Sequence, residues 1–356
     1  MKLDRLAILV VFGLLGACGP GLELAEAPPE SGPDVSMDLP APPGDGDETP
    51  SGGSPGNVTS DPEPEAPSEQ EPSMNKSLAP VAGIVCEEGQ EVIPQTVLHL
   101  LGASSQDTPE LGPSWQWNVL QPPGSKSVFK PSAYVQDPNF EANVAGTYTF
   151  FLDVWNLHGR QTVAPAMMQV QVIPDEEIHV ELLWETPGDP NDLDEGPERG
   201  SDVDLHLVHP KAGGPDLDGD GAPDGWFDMP FDCFFFNAHP EWGVFDPGVD
   251  DNPGLDRDDT DGWGPENINL SLPEPCTYRV GVHYWNDHGY GPSFVTVRVY
   301  LDGMLAWESE QRKLVDEDLW EVISIVWTGH PADPWQLSTD DARITHGYQN
   351  PYFYQD

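Results

Sequence analysis

Apolar residues in this chain recur with a period of two, in short runs separated by turn formers. Tyr148, Phe150, Leu152 and Val154 fall on one side of an extended segment. Val295, Val297 and Val299 do the same in another, with Thr296, Arg298 and Tyr300 facing out. No long segment repeats apolar residues at i, i+3, i+4 and i+7, so helix is expected to be a minor component. The runs are punctuated by 40 prolines and 36 glycines in 356 residues. That length accommodates one to three domains, and the pattern predicts an all-β protein built from short strands.

The runs gather into two units. In the first, residues 78–174, strands are expected at 96–101, 115–119, 147–155 and 167–173, a spacing that predicts a β-sandwich. The motifs there are Leu101-Gly102-Ala103-Ser104-Ser105-Gln106-Asp107, Trp115-Gln116-Trp117, Pro122-Pro123-Gly124-Ser125, and Phe140 followed by Gly146-Thr147-Tyr148-Thr149-Phe150. In order and spacing they resemble the PKD domain, an immunoglobulin-like module of bacterial surface proteins. The family's aspartate-rich turn is replaced here by Asn156-Leu157-His158-Gly159. The resemblance implies a spacer or interaction module without chemistry.

The second unit, residues 176–329, has strand patterns at 178–185, 202–208, 231–237, 268–272, 278–285, 294–301 and 322–327. They predict a second, jelly-roll-like sandwich with long acidic loops inserted between strands. Leu183-Trp184, Ser201-Asp202-Val203-Asp204-Leu205-His206-Leu207, the run from Asp259 to Ile268, and Tyr278-Arg279-Val280-Gly281-Val282-His283-Tyr284-Trp285 resemble the YfaP-like bacterial surface domains, a family of uncharacterised function. The final stretch, 330–356, is aromatic without clear periodicity, and two readings stay open for it: a tail packed on the second sandwich, or a free one.

Before these units lies a different kind of sequence. Lys2 and Arg5 precede an apolar run, Leu6 to Leu15, too short to cross a bilayer of roughly 30 Å. Leu15-Gly16-Ala17-Cys18 resembles a bacterial lipobox. The resemblance implies a signal peptide over 1–18, lipidation of the Cys18 sulfur, and work outside the cytoplasm. Gly19 in place of Asp favours the outer membrane by resemblance to enterobacterial sorting. Residues 19–77 are rich in Pro, Gly, Ser, Glu and Asp, cannot bury enough apolar surface to offset ordering entropy, and are expected to form a disordered, extended stalk. With Cys18 lipidated, Cys86, Cys233 and Cys276 remain. Cys233 and Cys276 sit in strand-like runs of one unit and are expected to pair, closing a loop worth roughly 4 kcal/mol. Cys86 reads as a small apolar residue at a strand start.

The charge is strongly one-sided, 62 Asp+Glu against 14 Lys+Arg, for a formal net charge of −48. Such a field repels nucleic acid and anionic lipid and suits hard cations, calcium above all. Asp216-Leu217-Asp218-Gly219-Asp220-Gly221-Ala222-Pro223-Asp224 places oxygen ligands at positions 1, 3, 5 and 9 of a calcium loop with glycine at 6. The closing glutamate is missing: position 12 is Phe227, with Asp228 after it. The loop is therefore more similar to those of dockerins and thrombospondin type 3 repeats than to a helical EF-hand. A second acidic loop, from Asp250 to Asp261 and on to Glu266, would complete that site or form another, with Asp259 and Asp261 as its candidate ligands. Asp202, Asp204 and His206 share a strand face suited to a structural or calcium role.

Catalytic signatures are absent from the sequence. His206 and His209 have an H-x-x-H spacing but point to opposite faces of a strand, and no H-E-x-x-H helix, G-x-S-x-G elbow or phosphate loop occurs. The expectation is a non-catalytic, lipid-anchored adhesion or scaffolding protein with a surface protein or glycan as partner. One alternative is a carbohydrate-binding accessory module using Trp226, Trp242 and Trp263 as exposed platforms; the other is a hydrolase with a metal site in the acidic loops.

Overall fold

A computed structural model describes residues 79–104, 114–156, 159–191, 199–260 and 262–352. The expectations for Cys18, the 19–77 stalk and Asp261 lie outside the described residues. What is described is all-β, with no helix, and the strands form two sandwiches.

The first sandwich uses β1 (Ala82–Cys86), β2 (Glu91–Val92), β3 (Thr96–Ser104), β4 (Ser114–Leu120), β5 (Asn139–Ala142), β6 (Gly146–Trp155) and β7 (Ala166–Val172). One sheet runs β1-β3-β5 and the other β2-β7-β6-β4, with β2 parallel to β7 and the remaining pairs antiparallel. Period two is obeyed in β6: Tyr148, Phe150, Leu152 and Val154 are all fully buried. They pack with Trp117, Phe140 and Leu98 into one core, each large side chain contributing about 1.5–3 kcal/mol. Tyr148 closes a corner: its hydroxyl lies 3.1 Å from the Val144 carbonyl and 3.2 Å from Asn143 Oδ1.

The second sandwich uses β8 (Ile178–Glu185), β9 (Asp202–Val208), β10 (Asp232–Cys233), β11 (Gly254–Arg257), β12 (Glu266–Leu270), β13 (Thr277–Asn286), β14 (Ser293–Leu301), β15 (Met304–Glu308), β16 (Arg312–Leu314), β17 (Leu319–His330), β18 (Asp333–Ser338) and β19 (Arg343–Thr345). One sheet runs β11-β12-β8-β14-β15 with β16 added to β14. The other runs β10-β9-β13-β17-β18 with β19 added to β17. Their inner faces, among them Val180, Leu182, Leu205, Val282, Val297 and Ile325, make the main core.

Both sheets are also covered on their outer faces. Glu181, Leu183 and Arg298 turn away from the main core toward the first sandwich. The Ala145 N–H donates to Glu181 Oε2 at 3.0 Å, Arg298 Nη2 donates to the Pro123 carbonyl at 3.0 Å, and the Gly124 backbone abuts Leu183. On the opposite sheet a smaller cluster of Trp226, Phe227, Phe234, Leu319 and Tyr348 packs over β9 and β13. The chain from Pro331 to Tyr352 is thus tied down: β18 and β19 pair with β17, and Tyr348 is 1% exposed.

Two sequence expectations are corrected. The 231–237 run is strand only at Asp232–Cys233, because the chain then turns to insert Phe234 into the outer cluster and Asn237 Nδ2 bonds back to the Asp232 carbonyl. Cys233 and Cys276 are not bonded to each other. Cys233 pairs with Leu207, which pairs with Val280, and Cys276 lies four residues before Val280. Two strand spacings of about 4.8 Å and a rise of about 3.3 Å per residue put the two well beyond the ~7 Å a disulfide spans. Cys233 is instead a buried core residue whose Sγ–H faces the Ala238 carbonyl at 3.4 Å.

Candidate metal centre

The 216–224 loop brings its four alternate aspartates together. One oxygen from each of Asp216, Asp218, Asp220 and Asp224 lies within 4.8 Å of the others. The coil is tight because each aspartate also turns the backbone. Asp216 accepts the Gly219 and Gly221 N–H groups at 2.8 and 3.0 Å, and Asp218 accepts that of Asp220 at 3.0 Å. Asp220 accepts the Ala222 N–H and Asp224 that of Leu217, both at 2.8 Å. Gly221 has φ +92°, a left-handed conformation that a side chain would strain. An all-carboxylate donor set of this kind fits a hard divalent cation such as calcium. Asp228 does not join it; its carboxylate accepts the Gly213 and Gly214 N–H groups and pins the base of the loop.

The loop is seated on the outer face of the sheet. Arg279 stacks its guanidinium 4.6 Å from the Trp226 ring and donates to the Asp224 carbonyl. Trp226 lies flat over Gly281, where a Cβ would come within 2.5 Å of the ring. From the C-terminal segment, the Tyr348 hydroxyl donates to Asp224 Oδ2 at 2.7 Å, Tyr352 to the Phe227 carbonyl at 2.6 Å, and Arg343 Nη2 reaches Asp218 Oδ2 at 3.3 Å. Beneath the loop His206 Nδ1 and Asp232 Oδ2 pair at 2.8 Å, and the same oxygen accepts the Phe227 N–H. Both side chains are fully enclosed by Trp226, Phe227 and Phe234, so this pair holds the loop in place with no opening for a substrate.

A second acidic group forms where β9 meets the 256–266 segment. Asp204, Asp258 and Glu266 each bring an oxygen within 4.8 Å of the others. Glu266 is fully buried and accepts the Leu205 N–H at 2.7 Å and the Asp259 N–H at 3.2 Å. Burial first, and the neighbouring carboxylates second, push Asp202 up to about 9 and raise Glu266 well above the usual range. Burial likewise lifts Asp204 to about 8, against an opposing pull from His206. Asp259, expected as a ligand, is buried beside Glu266 and is not part of the 216–224 cluster. The sequence offered the acidic loop from Asp250 to Glu266 and the shared strand face of Asp202 and Asp204 as separate signals, but did not bring Asp204, Asp258 and Glu266 together.

Trp226, Trp242 and Trp263 are buried, at 1%, 6% and 7% exposure. They cannot serve as exposed sugar platforms; they staple the long loops to the sheets.

No protein-family model matches this chain, and no curated protein matches it. Among solved structures the chain is similar to FdeC, an Escherichia coli adhesin, at 9% sequence identity and a TM-score of 0.18. The likeness covers 66% of this chain and 63% of that one, so the chain spans under two thirds of the adhesin's length. The PKD-like and YfaP-like resemblances rest on the motifs quoted for them. No helix among the described residues is long and apolar enough to cross a membrane.

Proposed function

We propose that this chain is a lipid-anchored, non-catalytic adhesion or recognition protein of the bacterial cell envelope, with calcium rigidifying the loops it presents. The observation that carries this reading is the convergence of Asp216, Asp218, Asp220 and Asp224 in a loop seated on the sheet by Arg279, Trp226 and Tyr348. Four carboxylates so close repel one another, and a dication relieves that repulsion while locking the coil. Other loops of the second sandwich expose apolar surface, with Phe245 92% and Phe236 47% exposed, and Phe236 stacks on Tyr352 at 5.3 Å. Exposed aromatic rings on loops suit binding to a surface protein or glycan.

Two measurements test it. Calcium should raise the melting temperature of the purified chain and a chelator should reverse the effect, with the response lost in an Asp218→Asn/Asp220→Asn variant. An identical melt with and without chelator would overturn the calcium claim. In cells, Cys18→Ala should abolish incorporation of labelled fatty acid and release the protein from the membrane fraction; unchanged membrane retention would overturn the anchor.

A further inference from the structure

Strand β10 pairs only with Leu207 and Val208 of β9, so among the described residues the upstream edge of β9 has no strand partner. Glu266 closes that edge by accepting the Leu205 N–H, and Asp258 follows at the rim, itself exposed. From the same stretch of β9, Asp204 brings an oxygen within 4.8 Å of those of Asp258 and Glu266, and Asp202 lies two residues before it on the same strand face. We infer that Asp202, Asp204, Asp258 and Glu266 form a second cation site, separate from the 216–224 loop, that takes a hard divalent ion of the calcium class.

Clustered acids alone would not carry this, but two of them are stranded. Asp202 and Asp204 are 6% and 2% exposed, and Asp202 Oδ1 and Asp204 Oδ2 are buried with no hydrogen-bond partner among the described residues. A buried, unsatisfied carboxylate oxygen costs at least as much as a lost hydrogen bond, and two beside a third acid cost more. The nearby histidines do not remove that cost. His283 Nδ1 stands 3.9 Å from Asp204 Oδ2, but His283 Nε2 bonds the Tyr348 carbonyl at 2.7 Å. A carbonyl only accepts, so the proton sits on Nε2 and Nδ1 presents a lone pair to Asp204. His206 uses its Nδ1 on Asp232. A bound cation supplies what is missing, and the grouped oxygens of Asp204, Asp258 and Glu266 suit a hard ion such as calcium. The exposed Asp258 provides the entry path.

Calorimetric titration of the chelator-stripped full chain with calcium tests the inference. Asp258→Asn, a rim change that leaves the buried acids in place, should remove one equivalent of bound calcium or weaken it at least tenfold. Asp204→Asn should do the same, while Asp218→Asn/Asp220→Asn should remove a different equivalent. Should Asp204→Asn fail to fold, the Asp258→Asn result decides. Unchanged calcium uptake in a folded Asp258→Asn variant would overturn the site. So would an Asp204→Asn variant that gains stability without calcium and binds as much of it as the parent, since the acids would then be neutral. If the loop variant loses nothing and Asp258→Asn loses one equivalent, the loop reading fails and this site stands.

Discussion

Arg298 and Glu181 are register partners on adjacent strands, with Nη1 and Oε1 2.9 Å apart, and together they tie the two sandwiches to each other. Glu181 is fully buried and also accepts the Ala145 N–H; Arg298 also donates to Pro123 and to Glu308. Every arm of this pair is used. Arg298→Met should therefore leave a buried carboxylate without its counter-ion and cost about 3–5 kcal/mol. Glu181→Gln should also destabilise, and the double variant should lose less than the sum of the two, because neither charge is then left uncompensated. Urea unfolding of the four proteins checks this; strictly additive losses would show that the pair is not coupled.

Gly281 sits beneath Trp226 with no room for a side chain. An added methyl would come within 2.5 Å of Cζ3 and 2.7 Å of Cη2 of a ring on which Arg279 also stacks. Gly281→Ala should therefore lift the ring, cost about 1–3 kcal/mol, and weaken calcium binding by the 216–224 loop that Trp226 anchors. Parental stability together with parental calcium affinity would mean that the loop does not depend on this seat.

Strands with clean alternation were legible in the sequence. The 178–185 and 202–208 runs coincide with β8 and β9, since Val180, Leu182, Leu205 and Leu207 needed only period two to declare their face. The outer layers were not legible. Arg298 and Tyr300 look solvent-facing by the same alternation, yet both are buried. Strands β18 and β19 take their order from pairing with β17 and have little apolar pattern of their own. For the site, local spacing was enough for the 216–224 loop, which is one continuous coil. It could not find Asp204 beside Glu266, because that proximity is set by strand packing across the fold. Counting thiols likewise paired Cys233 with Cys276 without the geometry that keeps them apart.

His179 gives the protein an acid-sensitive element. It is 1% exposed, its Nδ1 meets Asn269 Oδ1, and its Nε2 is buried with no partner among the described residues. Burial pulls it down to about 4, so the native state holds it neutral while the unfolded chain takes up a proton below about 6.5. A depressed histidine contributes stability above the unfolded value and loses it as pH falls toward the folded one. Between pH 7 and pH 5 that loss amounts to about 2 kcal/mol. His179→Gln should shrink the stability difference between those two pH values by that amount, as measured by denaturant unfolding at each pH. An unchanged difference would place the acid sensitivity elsewhere.

Arg343 reaches from the C-terminal segment to both Asp218 and Glu321, yet it is 55% exposed in the side chain. Solvent screening at that exposure leaves such contacts worth less than about 1 kcal/mol of stability. The effect on calcium is expected to be larger, because the guanidinium is a cation already placed against one of the four carboxylates. It competes for Asp218 Oδ2 and repels an incoming dication, a penalty of roughly 1 kcal/mol at a separation of about 6 Å in a water-like dielectric. Arg343→Gln should therefore leave the melting temperature of the calcium-free chain nearly unchanged and tighten calcium binding several-fold. The gain should diminish with added salt, since it is electrostatic. Weaker binding in the variant would mean that Arg343 instead holds Asp218 in its liganding position, and the arginine would then count as part of the site's scaffold.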